Sequence, residues 1–270
     1  MMSFYTVDYF LKRKKEMEEV FNVIKPDLQE LADYFSPRSV RFIARNVRKP
    51  IVKNRKIIDS TPLIALRNFS SGMMSGATSP ANRWFKTSFA DVNLANDYYL
   101  KKWCSKQEEL TRQILYGSNF YQTLPEIYKQ LGIFGFSAVS IEPDYDDVVN
   151  FKVLPIGSYY YAKNSNGKVD TFCRVYMETA KNIADKFSLN CPKEILDDSI
   201  NNPLKMYELI HFVEKNKFYR AKKLSSKFSQ YISVVILSGK NEFLSMKGFS
   251  KFPYVVFESS YSTEDYPTES

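Results

Sequence analysis

Histidine and glycine are scarce in this sequence, and both shortages limit its chemistry. The 270 residues include one histidine, His211, and nine glycines. A lone imidazole inside an apolar run is more often structural than catalytic, so an active site built on His211 is not favoured. The few glycines form neither a GxGxxG nor a GxxxxGK[ST] motif, which excludes the common glycine-rich cradles for nucleotide phosphates.

Cysteine pairs and long hydrophobic runs are also missing. The three cysteines, Cys104, Cys173 and Cys191, are odd in number and widely spaced, so neither a disulfide framework nor a zinc site is indicated. No apolar run approaches the roughly 20 residues that span a bilayer. The first residues have no apolar core followed by small residues, so a signal peptide is not expected.

Two short motifs resemble functional sites without meeting their requirements. The acidic run from Asp144 to Asp147 is not a calcium-binding EF-hand loop, because the positions that need glycine and glutamate hold Val149 and Pro155. A Ser-x-x-Lys motif begins at Ser165, but it lies in a polar turn. We therefore expect no metal, no cofactor, no catalytic residue and no enzymatic activity.

Basic and aromatic side chains are abundant. Lys and Arg total 38 against 30 Asp and Glu, a net charge of +8, and aromatic residues make up 16% of the chain. With 44% hydrophobic residues, the composition is that of a folded protein of one large domain or two modest ones. The positive balance favours acidic partners such as nucleic acid.

Much of the positive charge lies in two segments. Between Ser36 and Lys56 there are basic residues and no acidic one, and Lys215–Lys227 forms a second basic loop. A basic arm that faces phosphate or an acidic neighbouring subunit and a solvated connector both remain open. The candidate contact residues for a neighbouring subunit or DNA are Arg38, Arg41, Arg45, Arg48, Lys53, Arg220, Lys222 and Lys223.

The first half of the chain is predicted to be helical. One helix spans about Tyr5–Tyr34, with an interruption expected at Pro26 and with Lys12–Lys15 on a solvated face. A second helix carries Pro62 in its first turn. Further helices are predicted at 92–116 and from 120 to about 131.

Two of these helices carry apolar stripes that we expect to pack in the core. Gly72 and Gly76 in the second helix indicate a close approach of a neighbouring backbone or the end of the helix. The stripe of the second helix consists of Ile58, Ala65, Phe69 and Met73, and Leu66 and Met74 widen it. The stripe of the third consists of Tyr99, Trp103, Leu110 and Ile114.

From Phe136 onward the pattern changes to short strands separated by turns. Strands are predicted at 137–142, 148–154, 159–162, 169–177, 204–213, 231–237, 242–246 and 252–257, and short helices at 180–187 and 192–200. Asn164–Gly167 has the composition of a hairpin turn. The prediction is an α+β fold, an N-terminal helical bundle followed by a mostly antiparallel β-sheet region with one or two short helices. The expected domains are 1–133, 134–258 and a tail, 259–270.

Several short motifs follow one another in order between about residue 30 and about residue 257. They are Ala32–Pro37, Asp59–Thr61, Ser71–Met73, Ser79–Pro80, Arg83–Phe85, Phe134–Ala138, Leu154–Tyr160, and Asn166–Thr171 with Arg174. In this order and spacing they resemble the head-to-tail connecting, or portal, proteins of short-tailed bacteriophages.

This resemblance implies a structural protein that catalyses no reaction. Portal proteins form a homo-oligomeric ring at one capsid vertex, through which a terminase motor pumps DNA and beneath which the tail attaches. The implied partners are capsid and scaffolding proteins, terminase, tail adaptor proteins and double-stranded DNA, with no membrane. The implied location is the portal vertex of the virion, and the host cytoplasm during assembly.

Family members are longer than this sequence and continue into channel helices. The resemblance therefore implies that the chain is the N-terminal wing part, without channel helices, clip and crown, and 259–270 is the expected truncation point. The alternative hypothesis is a free-standing, basic nucleic-acid-binding module without enzymatic activity.

Overall fold

The computed structural model describes residues 5–36, 59–221 and 228–259. The described residues form two compact units. The first unit contains the described residues among 5–27 and 155–253, and the second contains those among 28–154 and 254–259. Each unit therefore combines a helical segment from early in the chain with strands from later in the chain.

Helices come first along the chain and strands follow, which confirms the predicted α+β fold. The helices are α1 (Val7–Phe35), α2 (Thr61–Ala77), α3 (Val92–Asn96), α4 (Tyr98–Gly117), α5 (Phe120–Phe134), α6 (Ala180–Phe187) and α7 (Lys193–Asn201). The strands are β1 (Phe136–Asp144), β2 (Val148–Val153), β3 (Tyr159–Lys163), β4 (Val169–Thr179), β5 (Met206–Lys215), β6 (Tyr231–Leu237), β7 (Glu242–Phe249) and β8 (Tyr254–Glu258). The division into domains at 133/134 and 258/259 stays a prediction.

Helix α1 is continuous, and the predicted interruption at Pro26 was wrong. Proline removes one backbone hydrogen bond from a helix and costs about 3 kcal/mol in its interior. The helix nevertheless runs through Pro26 for 29 residues. Packing on both sides of the proline offsets this local cost, since Phe21 and Leu28 are both buried.

The first unit is built on a five-stranded antiparallel sheet in the order β3-β4-β5-β6-β7. Successive side chains of a strand point to opposite faces of a sheet. In β5, Phe212 faces α1, whereas Leu209 faces α6 and α7 and packs with Ile183 and Ile195. The sheet is therefore covered by helices on both faces.

Aromatic contacts hold the first part of α1 on this sheet. Phe10 is fully buried, and its ring centroid lies 5.2 Å from that of Phe212 and 6.1 Å from that of Phe243. About three helical turns later, Phe21 lies 5.4 Å from Tyr160. The two phenylalanines share one face of α1, and that face is the seam between helix and sheet.

The second unit contains a three-stranded sheet in the order β2-β1-β8, which α5 covers. Leu124 and Ile127 of α5 pack against Val139 of β1. Helix α5 ends at Gly135, whose φ of 76° is the left-handed conformation that glycine adopts most readily. This cap turns the chain directly into β1.

Helix α2 packs on α5 through one edge of the predicted stripe together with a buried serine. Ser70 is buried, and its hydroxyl donates to a backbone carbonyl of α5 at 2.9 Å, with Leu66 and Met74 half-buried beside it. The predicted core position is thus confirmed for Leu66 and Met74, whereas it was wrong for Phe69 and Met73, which are exposed. A hydrogen-bonded serine can be buried at little cost, which hydrophobic periodicity does not register.

The close approach between α2 and α5 lies at Gly132 instead of Gly72 or Gly76. A Cβ atom added at Gly132 would lie 2.9 Å from the ring of Phe69. At Gly72 and Gly76 an added Cβ would meet no atom within 4 Å. Glycine at position 132 therefore allows the Phe69 ring to lie against the backbone of α5.

Phe10→Ala is expected to lower the free energy of unfolding by about 3–5 kcal/mol, because it empties the space of a fully buried ring. Urea denaturation followed by circular dichroism measures the loss. Val23→Ala on the same helix is the matched control, since Val23 is exposed and its truncation should change stability by less than about 0.5 kcal/mol. Equal effects of the two substitutions would contradict the described seam.

Candidate functional site

A groove of about 530 Å³ in the first unit is lined by charged side chains from three segments distant in sequence. Helix α1, the β3–β4 hairpin and the end of β5 form its walls. The basic side chains are Lys12, Arg13, Lys163, Lys215 and Lys217, and the acidic ones are Glu16, Asp170 and Glu214. We call this site the charged groove.

A tyrosine–carboxylate contact holds α1 to β5 in the charged groove. The hydroxyl of Tyr9 lies 3.2 Å from each carboxylate oxygen of Glu214, which is only 6% exposed. The ammonium group of Lys217 lies 5.8 Å from the centre of the Tyr9 ring, within reach of a cation–π interaction. These three side chains bind the first turns of α1 to the end of β5.

Burial controls the ionisation of both partners in this contact. Desolvation raises the pKa of Glu214 to about 7, because it outweighs the hydrogen bond from Tyr9 and the attraction of Arg13 and Lys217. Desolvation and the nearby Glu214 raise the pKa of Tyr9 to about 12. Near neutral pH, Glu214 therefore carries only part of a negative charge.

The walls of the charged groove hold exposed cations. Arg13 forms an ion pair with Glu16 at 3.4 Å. Lys12 and Lys215 are exposed, and within the described part of the chain neither has an ion-pair partner. With five basic and three acidic side chains, the charged groove has an excess of positive charge.

Of the basic residues predicted to contact a subunit or DNA, the structure describes Arg220. It is exposed, its guanidinium lies 5.6 Å from the centre of the Phe228 ring, and it does not line the charged groove. The other predicted residues lie outside the described residues. They are Arg38, Arg41, Arg45, Arg48, Lys53, Lys222 and Lys223.

Most of the charged groove was missed by sequence reasoning. Lys215 and Lys217 belong to the predicted basic loop, but Lys12 and Arg13 were assigned to a solvated helix face and Lys163 was not singled out. The available signal was the lysine and arginine run early in α1. That run does not reveal which strand lies beside it.

His211 lies inside β5 as predicted, and its ring bonds to the next strand. Its Nε2 atom is 2.8 Å from the hydroxyl oxygen of Ser233 in β6. Ser233 is buried within β6. The contact is a cross-strand link within the sheet.

The second unit exposes apolar side chains on α4. The prediction that the apolar stripe of this helix faces the core was wrong, because the residues of the stripe are 37–78% exposed. The buried positions of α4 are Cys104 and Glu108. The exposed stripe consists of Tyr99, Trp103, Leu110 and Ile114. Exposed apolar faces of this kind often mark protein–protein contacts.

The turn between β1 and β2 presents carboxylates beside an aromatic ring. The carboxylate of Asp144 accepts the backbone N–H groups of Asp146 at 2.8 Å and Asp147 at 3.3 Å, which shapes the turn. The side chains of Tyr145, Asp146 and Asp147 are exposed. Residues 144–147 are called the acidic tip below.

The sequence profile of the bacteriophage head to tail connecting protein family matches residues 8–266. The chain belongs to this family. It is 34% identical to the portal protein of Salmonella phage epsilon15 over 240 residues, which cover 87% of this chain and 43% of that protein. It is 33% identical to the probable portal protein of Bordetella phage BPP-1 over 159 residues, 59% of this chain and 29% of that one.

The predicted resemblance to this connector family is thus confirmed. The chain spans less than half the length of these two relatives. Over the described ranges, no helix combines the length and hydrophobicity needed to cross a membrane. No three His, Cys, Asp or Glu side chains in those ranges are grouped so that they could hold a metal ion.

Glu214→Gln is expected to abolish a pH dependence of stability between about pH 4.5 and about pH 7. In this interval the folded chain keeps the carboxyl proton and the unfolded chain loses it, because burial raises the pKa of Glu214 from 4.5 to about 7. The folded state then binds more protons, so the unfolding free energy of the wild type falls as pH rises, by about 2–3 kcal/mol in all.

Urea denaturation at several pH values between 4 and 8, with the wild type as reference, measures this effect. Glu16→Gln is the matched control, because Glu16 lines the same groove but is exposed, and it should keep the wild-type profile. A Glu214→Gln profile identical to that of the wild type would contradict the assignment of a neutral, buried carboxyl group.

Proposed function

We propose that this chain is the wing part of a phage portal protein, which forms a ring at the capsid vertex for DNA packaging and tail attachment. The observation that carries this proposal is the match to the connector family over residues 8–266. The 34% identity to a protein named as a portal protein supports it. The role is structural, without catalysis.

The surfaces of the two units suit such a role. A ring subunit needs rigid elements and side-to-side contact surfaces. The first unit offers the charged groove, and the second offers exposed apolar side chains on α2 and α4. The proposed partners are neighbouring copies, capsid and scaffolding proteins, terminase, tail adaptor proteins and double-stranded DNA. The proposed locations are the portal vertex and, during assembly, the host cytoplasm.

Gold-labelled antibodies against the chain are expected to mark a single vertex, the tail-bearing one, on particles of the phage or prophage that encodes it. The reason is that a portal ring occupies one vertex of the shell. The particles are opened by freezing and thawing, and electron microscopy shows the position of the gold label on them. An antibody against the major capsid protein is the control. Label spread over the whole shell, or no label in opened particles, would refute the proposal.

The basic segments around Arg41 and Arg220 stay candidate contacts with a neighbouring subunit or DNA. Joint reversal by Arg41→Glu, Arg45→Glu and Arg48→Glu is expected to weaken ring assembly. The new glutamates would repel the acidic surface of the neighbouring subunit that the arginines are proposed to contact. Sedimentation velocity measures assembly. The control reverses three exposed lysines outside the charged groove, Lys181, Lys247 and Lys251.

Unchanged assembly of the triple arginine variant would count against a subunit contact in this segment. A monomeric wild type whose DNA affinity falls steeply with added salt would instead favour the nucleic-acid-binding module.

A further inference from the structure

We propose that the acidic tip of one copy binds in the charged groove of a neighbouring copy and so joins subunits head to tail. This inference rests on the proposed function, because it names a contact by which that ring is held together. It is drawn from the charge, exposure and shape of two surfaces of the described chain.

The two surfaces are complementary in charge. The acidic tip carries Asp144, Asp146 and Asp147, and the neighbouring residues 143–150 contain no basic side chain. The charged groove carries five basic against three acidic side chains. Complementary potentials of this kind steer two surfaces together and fix their relative register.

Every wall of the charged groove contributes to this balance. Helix α1 provides Lys12, Arg13 and Glu16, and the β3–β4 hairpin provides Lys163 and Asp170. The end of β5 provides Glu214 and Lys215, and Lys217 follows just after the strand. Because burial favours the neutral form of Glu214, its repulsion of an incoming carboxylate is reduced near neutral pH.

The acidic tip and the charged groove also match each other in size and in exposure. The volume of about 530 Å³ lies in the range of concave sites that hold a small ligand, and it therefore admits the few side chains of a tight turn. Tyr145 is fully exposed at the acidic tip. An exposed tyrosine among charges suits an interface anchor, and the lysine and arginine side chains of the charged groove can lie over its ring.

The charged groove is held in shape before a partner arrives. The Tyr9–Glu214 contact and the placement of Lys217 over the Tyr9 ring fix two of its walls to each other. The side chain of Lys163 is buried, so it is already ordered before association. Preorganisation of this kind reduces the entropy lost on association.

The contact joins two different patches of the chain, because the acidic tip belongs to the second unit and the charged groove to the first. A contact between unlike patches is heterologous, and repeating it gives a ring when the rotation closes. A second copy of the chain is therefore an occupant that the proposed assembly itself supplies.

The test uses two charge-reversal variants of the chain. The tip variant carries Asp146→Lys and Asp147→Lys, and the groove variant carries Lys12→Glu and Lys215→Glu. All four side chains are exposed, so folding should be retained, which circular dichroism verifies. Sedimentation velocity over a range of protein concentrations measures self-association. A control variant with Lys181→Glu and Asp185→Lys on α6 reverses charges outside both surfaces.

Each variant alone is expected to self-associate at least about tenfold more weakly than the wild type and the control. An equimolar mixture of the two should regain association, since the lysine tip fits the glutamate groove and the native tip fits the native groove. If a reversal impairs folding, the neutral pair Lys12→Gln and Lys215→Gln should weaken association in the same direction.

Three outcomes would overturn the inference. Unchanged association of both folded variants, or a loss that mixing does not restore, rules out this contact and leaves the portal proposal standing. A wild type that stays monomeric at every concentration rules out this contact too. The portal proposal has its own independent test in the labelling of a single vertex.

Discussion

The packing of α1 on the five-stranded sheet is the interaction on which the first unit depends. Phe10 is fully buried against Phe212, and Tyr9 meets Glu214, a residue 205 positions away in the chain. The hydroxyl of Tyr5 also accepts the backbone N–H of Lys217 at 3.0 Å. Once these contacts are made, the adjacent face of α1 becomes a wall of the charged groove. Hydrophobic burial therefore positions a polar site that has little burial energy of its own.

In the second unit, too, a packed core positions a polar surface feature, which here is the acidic tip. Helix α5 covers β1, while β2 and β8 pair with its two edges. The glycine cap at Gly135 leads the chain from α5 directly into β1. The β1–β2 hairpin, whose turn is the acidic tip, is therefore connected directly to a packed helix. Rigid elements that carry exposed charge and apolar side chains suit a protein of the connector family, whose named relatives are portal proteins.

Sequence patterns predicted strands better than helix faces. The strands were bounded by turn residues such as Asn164 and Gly167, whose conformational preferences are local, so the predicted and observed strands agree closely. The predicted core stripe of α4 was wrong, and that of α2 was right only along the edge that holds Leu66 and Met74. Each helix has two faces that can pack, and periodicity does not say which one meets the rest of the chain. In α2 the buried face contains Ser70, and in α4 it contains Glu108.

The order of elements, the α+β class and the resemblance to the connector family were all determined by the sequence alone. These properties depend on local conformational preference and on motifs that keep their order along the chain. The charged groove was decided by the tertiary structure. Lys12, Lys163 and Lys215 are far apart in sequence, and they meet only because strand pairing and the burial of Phe10 bring their segments together. Long-range packing of this kind leaves no periodic signal in a single sequence.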